Sequence, residues 1–113
     1  MIMSKFVNKA NELLARVESL MSSFELVKGS DGWPDDYKAK KEIWSQYPDI
    51  LIDVQTLLFC DSPEHPLYLL TKKFEKEQET RYDKNFFTYS DFEKLKEVLL
   101  KYLQYRAFLE SED

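Results

Sequence analysis

The sequence predicts an all-α protein: a compact bundle of four to five helices, with long first and last helices lying antiparallel. Three observations lead there. Only two glycines and four prolines occur in 113 residues, which leaves few places for tight β-turns. Three segments carry the same helix-start signal, a proline followed by acid: Trp33-Pro34-Asp35-Asp36, Tyr47-Pro48-Asp49 and Ser62-Pro63-Glu64. The last long segment repeats Phe92, Leu95, Leu99, Tyr102, Arg106 and Leu109 at alternating three- and four-residue steps, one stripe of a helix. A chain of this length supports one core, so residues 1–113 read as a single helical domain.

The first helix is expected over residues 4–27. Phe6, Ala10, Leu13, Leu14, Val17, Leu20, Met21 and Phe24 hold a seven-residue apolar repeat, and Glu12 with Arg16 adds an i,i+4 ion pair. The repeat could drive a coiled-coil dimer. It is shorter than the three to four heptads such seams sustain, so packing within the domain is favoured. Lys28 and Gly29 supply the cation and glycine of a helix end. The signal at Trp33–Asp36 then opens a second helix to about Gln46.

Tyr47-Pro48-Asp49 starts a third segment, which runs to Cys60. Ile50, Leu51, Val54, Leu57 and Leu58 fit helical spacing, although Ile50-Leu51-Ile52 could also belong to a buried strand. Its length favours a helix buried nearly all round. The fourth helix takes Ser62 as N-cap and Pro63 at its first position, turns Leu67, Leu70 and Phe74 inward, and projects a polar end into water from Lys72 onward. An aromatic connector (Tyr82, Phe86, Phe87, Tyr89) follows, with Phe86 and Phe87 expected to plug the end of the bundle. Ser90 and Glu93 form a capping box for the last helix. Its stripe is widened by Val98, Leu103, Tyr105 and Phe108, more apolar surface than one neighbouring helix covers.

Composition limits the function. With 43% hydrophobic and 33% charged residues, the chain fits neither a disordered nor a membrane protein. Its apolar runs are far below the roughly 20 residues that span a bilayer. The first five residues lack the features of a signal peptide, and a single cysteine suits a reducing compartment, so cytoplasm is expected. A net charge of −5 spread along the chain offers no basic footprint for nucleic acid.

An enzyme is not expected, nor is a cofactor. Cys60 and His65 could be imagined as a catalytic pair or half a zinc site, but a structural zinc needs about four ligands. A capping histidine and a buried thiol explain these two residues more simply. Asp31–Glu42 has the length of a calcium loop, but Trp33 and Asp36 occupy positions where a ligand and a glycine are required.

Two surfaces remain as candidates for binding another protein. One is a helix face carrying Trp33, Tyr37, Trp44 and Tyr47, interleaved with Lys40 and Lys41. Tryptophan and tyrosine dominate interface hot spots, while aromatics among lysines could also stack on single-stranded bases. The plainer alternative is that these rings pack internally under lysine stems. The second is the end of the last helix, Tyr105, Arg106 and Phe108, as a homodimer seam or a partner's docking site. The leading expectation is a small non-enzymatic adaptor, inhibitor or immunity-type protein. A nucleic-acid-associated accessory protein is the alternative.

Overall fold

In the computed structural model, which describes residues 4–110, four long helices carry the fold: α1 (Lys5–Ser22), α3 (Tyr47–Asp61), α4 (Pro66–Glu79) and α5 (Tyr89–Glu110). Between α1 and α3 lie two short strands, β1 (Glu25–Val27) and β2 (Asp36–Lys38), and a four-residue helix, α2 (Lys41–Trp44). The long first and last helices are antiparallel neighbours. Arg106 near the end of α5 reaches Ser4 at the start of α1, and Phe24 beyond the end of α1 packs edge-on to Tyr89 and Phe92 at the start of α5.

The core follows the helical stripes. Ala10, Leu13, Val17, Leu20 and Met21 of α1 meet Phe92, Leu95, Val98, Leu99 and Tyr102 of α5, with Ile50, Leu51, Val54, Leu57 and Leu58 of α3 closing the third side. The segment from Tyr47 is therefore a helix, and the stripe Phe92, Leu95, Leu99, Tyr102 is fully buried. Leu109, the last position of that stripe, is exposed. The body is elongated. Its radius of gyration is 15.8 Å, against about 13 Å for a spherical domain of this length. Such a shape leaves helix faces uncovered.

Four helix boundaries differ from the sequence expectation, each for a physical reason. The first helix ends at Ser22, not near residue 27, with Ser23 as C-cap. Lys28 and Gly29 therefore do not cap it. Trp33-Pro34-Asp35-Asp36 does not open a helix. Asp36 to Lys38 instead pairs antiparallel with Glu25 to Val27, matching Glu25 with Lys38 and Leu26 with Tyr37. The turn between the strands is Ser30-Asp31-Gly32-Trp33. Asp31 and Gly32 both have positive φ (49° and 88°), and the Trp33 amide donates to the Ser30 carbonyl, as in a type I′ turn.

The fourth helix starts at Pro66 rather than Pro63. Its N-cap is His65, whose Nδ1 accepts the Leu67 amide at 3.0 Å. The last helix starts at Tyr89, with Thr88 and Asp91 as its reciprocal cap instead of Ser90 and Glu93. The Asp91 amide donates to Thr88 Oγ1 at 3.3 Å, and the Thr88 amide donates to Asp91 Oδ2 at 2.8 Å. On the surface of α1, Glu12 pairs with Lys9, and Arg16 pairs with Asp53 of α3. The expected Glu12–Arg16 pair is thus replaced. Among the described residues no helix is long and apolar enough to cross a membrane.

Candidate functional site

Trp33, Tyr37, Trp44 and Tyr47 lie toward the end of the body where the hairpin, α2 and the α4–α5 connector meet. They do not share one helix face, because the segment from Trp33 to Tyr47 is strand, turn and short helix. Tyr47 is core: it stacks on Phe87 (4.6 Å between ring centroids, planes 23° apart) and meets Phe92 edge-on. Its burial, together with the nearby Asp91 charge, pushes its hydroxyl well above the usual phenol range. Trp44 is half-buried and packs edge-on to Phe86. Phe87 plugs this end as expected, whereas Phe86 stays partly exposed.

Tyr37 and Trp33 reach the surface. Tyr37 stacks on Tyr89 at 4.2 Å, which ties β2 to the start of α5, and leaves its outer side in water. Trp33 sits on the hairpin loop and is 79% exposed. The loop that carries it is fixed by three devices. The Gly29 amide donates to Asp35 Oδ1 at 2.7 Å, Lys28 lies 3.7 Å from the same carboxylate, and Gly29 packs against the chain beyond the turn. A Cβ at Gly29 would fall 1.9 Å from the Trp33 carbonyl oxygen. Two-stranded hairpins are marginal alone, so the anchoring by Phe24 and Tyr37 is what holds this one. Lys40 and Lys41 are exposed at the start of α2, and Lys28 and Lys38 share a shallow cleft with Trp33, Asp35 and Asp36. Cations and carboxylates alternate there.

Asp91 pins this end. Its carboxylate takes Arg81 Nη1 and Nη2 at 2.8 and 2.5 Å in addition to the Thr88 amide. Burial alone would raise its pKa. The bonds from Arg81 and Thr88 outweigh it and hold the carboxyl below the usual carboxylate range.

The other end of the body contains a second polar cluster. Asp61 Oδ2 accepts the Tyr102 hydroxyl at 2.6 Å and lies 3.5 Å from Arg106 Nη1. Burial first, then Asp61, raises the Tyr102 pKa well above its ordinary value. Arg106 stacks its guanidinium over Phe6 at 5.0 Å. Arg106 is thus a largely buried internal strut between α5, α3 and α1, not a surface group beside Tyr105 and Phe108. Tyr105 leans edge-on against His65 at 4.8 Å, and Phe108 is mostly exposed. His65 is a capping residue, as expected. Cys60 is exposed rather than buried, and no hydrogen bond joins it to His65 among the described residues.

No family model matches the chain, and neither a curated protein nor a solved structure matches it.

Sequence reasoning missed three features. The Asp31-Gly32 dipeptide is a strong hairpin signal that was legible. The partner of Asp91 was not, because Arg81 lies ten residues away with no helical register between them. The third is on α3, where Ile52 and Phe59 face outward, 58% and 50% exposed, on a helix whose composition reads as buried all round.

Proposed function

We propose that this protein is a small non-enzymatic interaction module that captures another protein through its aromatic hairpin end. Trp33 carries the proposal: a large ring almost wholly in water, on a loop whose shape is fixed by Gly29, Asp35 and the Asp31-Gly32 turn. A rigid exposed tryptophan loses little entropy on binding and buries a large area, which is why tryptophan is enriched at hot spots. Tyr37 and the exposed side chains of Leu26, Val27 and Phe86 extend the patch. The mode of action is occlusion or tethering, as in an adaptor, inhibitor or immunity-type protein. The single cysteine is consistent with a cytoplasmic setting.

Nucleic acid fits this surface less well. Lys28 and Lys38 flank Trp33, but Asp35 and Asp36 offset them, and Lys28 is engaged by Asp35. Phosphate binding needs an excess of cations.

The test is a pull-down at physiological salt with the wild-type chain and Trp33→Ala. The variant should keep the wild-type unfolding midpoint and lose its partner by about 30-fold in affinity, the effect of a hot spot worth about 2 kcal/mol. If Trp33→Ala retains the same proteins, the hairpin is not the site. Binding to single-stranded oligonucleotide that falls steeply with salt would favour the alternative.

A further inference from the structure

Helix α3 turns a stretch without charge toward water. From Val54 to Cys60 it carries no ionisable side chain except the thiol. Its inner residues are spent in the core. Its outer stripe, Ile52, Thr56, Phe59 and Cys60, recurs at steps of four, three and one, and every member is exposed. A helix side that faces water normally carries polar groups.

The stripe forms a ridge between two grooves. On one side, Lys5, Phe6 and Lys9 of α1 face Asp53, Thr56 and Cys60. On the other, Ile52, Gln55, Thr56 and Phe59 face Tyr68 of α4. Thr56 belongs to both grooves and marks the centre of the ridge. Its hydroxyl donates to the Ile52 carbonyl at 2.8 Å, so burying it leaves no donor unsatisfied. Gln55 lines the second groove, is 8% exposed, and turns its Nε2 inward, where it has no acceptor among the described residues.

Charge identifies what covers the face. Helices α1 and α3 run antiparallel, with Arg16 beside Asp53 and Lys5 sharing the groove with Cys60. Within this face Lys9 pairs with Glu12 and Asp53 pairs with Arg16, so the uncompensated charges are Lys5 at one end and Asp49, a turn before Asp53, at the other. Lys5 and Asp49 carry no ion pair among the described residues.

We propose that α3 is the seam of a homodimer whose two-fold axis passes at Thr56. The two α3 helices then lie antiparallel. The Lys5 end of each copy meets the partner's Asp49 end, and Ile52 of one copy covers the Phe59–Cys60 end of the other. Opposed helix dipoles add to this arrangement. An isologous interface needs a patch complementary to itself, and a groove with charges reversed end to end around an uncharged ridge satisfies that condition. The dimer uses no residue of the hairpin, so it stands or falls apart from the capture of another protein.

The test is sedimentation velocity of the full chain from micromolar to submillimolar concentration. The mass should approach twice the 13.5 kDa monomer. Thr56→Arg faces two guanidinium groups across the axis and should weaken the dimer by about 100-fold or more. Its helical signal and unfolding behaviour at low concentration should match the wild-type monomer, because the position is exposed and arginine is a good helix former. Lys5→Glu or Asp49→Lys alone should weaken association, and the two together should restore it. A chain that stays monomeric throughout would overturn the proposal. So would a dimer indifferent to Thr56→Arg, or a charge swap that restores nothing. Trp33→Ala should leave the mass unchanged, which keeps a failed hairpin reading distinct from a failed dimer.

Discussion

Asp91→Asn removes one charge at the point where α4, the aromatic connector and α5 meet, and its effect can be worked from the geometry. The carboxylate accepts two bonds from Arg81 and one from the Thr88 amide, and its side chain is 5% exposed. Hydrogen bonds to a charged group contribute about 1.5–3 kcal/mol each to stability. The Arg81 side chain is 31% exposed and can turn to water when its partner is lost, so its two bonds deserve roughly half that value. Asparagine keeps an acceptor for the Thr88 amide and presents its own NH2 to the guanidinium. The expected loss is about 2 kcal/mol for Asp91→Asn, and about 3 kcal/mol for Asp91→Ala, which also loses the cap.

Urea unfolding followed by far-ultraviolet circular dichroism measures this directly. Repeating it in acid tests the electrostatic cause. The folded pKa of Asp91 lies below its ordinary 3.8. Its contribution is therefore complete above about pH 5 and is lost as pH falls through the folded value. The gap between wild type and Asp91→Asn should hold steady from neutrality to about pH 5 and close below that. A gap under about 0.5 kcal/mol at neutral pH, or one that persists undiminished in acid, would refute the reasoning.

At the opposite extreme of pH, Tyr47 and Tyr102 have raised pKa values, so their stabilisation is complete below about pH 10 and is lost as pH rises further. Ultraviolet titration should show at least two of the seven tyrosines ionising only with unfolding. Tyr102→Phe should lower stability by about 1–2 kcal/mol in denaturant melts, because Asp61 loses the hydroxyl donor and keeps only the longer contact with Arg106. Gly29→Ala should abolish the hairpin, seen as loss of amide protection across Glu25–Val27 and Asp36–Lys38 in hydrogen exchange, since its Cβ would overlap the Trp33 carbonyl. Gly32→Ala, with φ +88° but open space around it, should cost only about 1 kcal/mol. Retained protection in Gly29→Ala would show that the loop is not built on that close approach.

Much of the fold was legible because helices announce themselves locally. The stripe Phe92, Leu95, Leu99, Tyr102 and the repeat from Ala10 to Met21 each fit one face of one helix, and all but the half-buried Leu14 are buried where the spacing puts them. The start of α3 at Tyr47-Pro48-Asp49 held for the same reason. What the residues could not rank were competing local signals of equal quality. Thr88-x-x-Asp91 and Ser90-x-x-Glu93 both satisfy a capping pattern. The first is used because Arg81 and the core bury Asp91, while Ser90 and Glu93 face water. Ser62 and His65 compete in the same way for α4, and the ring packing of His65 on Tyr105 and Tyr102 goes with the later start.

The candidate site was legible in its ingredients and not in its arrangement. Residue type marked Trp33, Tyr37, Trp44 and Tyr47 as unusual, but proline followed by two aspartates reads alike before a helix and before a strand. Pairing with Glu25–Val27 settles the matter, and that contact spans a loop no local window contains. It sends Tyr47 into the core and Trp33 into water. The sequence alone therefore determined which faces are apolar, through spacing. Only the tertiary structure decided which of them are covered, because coverage depends on neighbours far away along the chain.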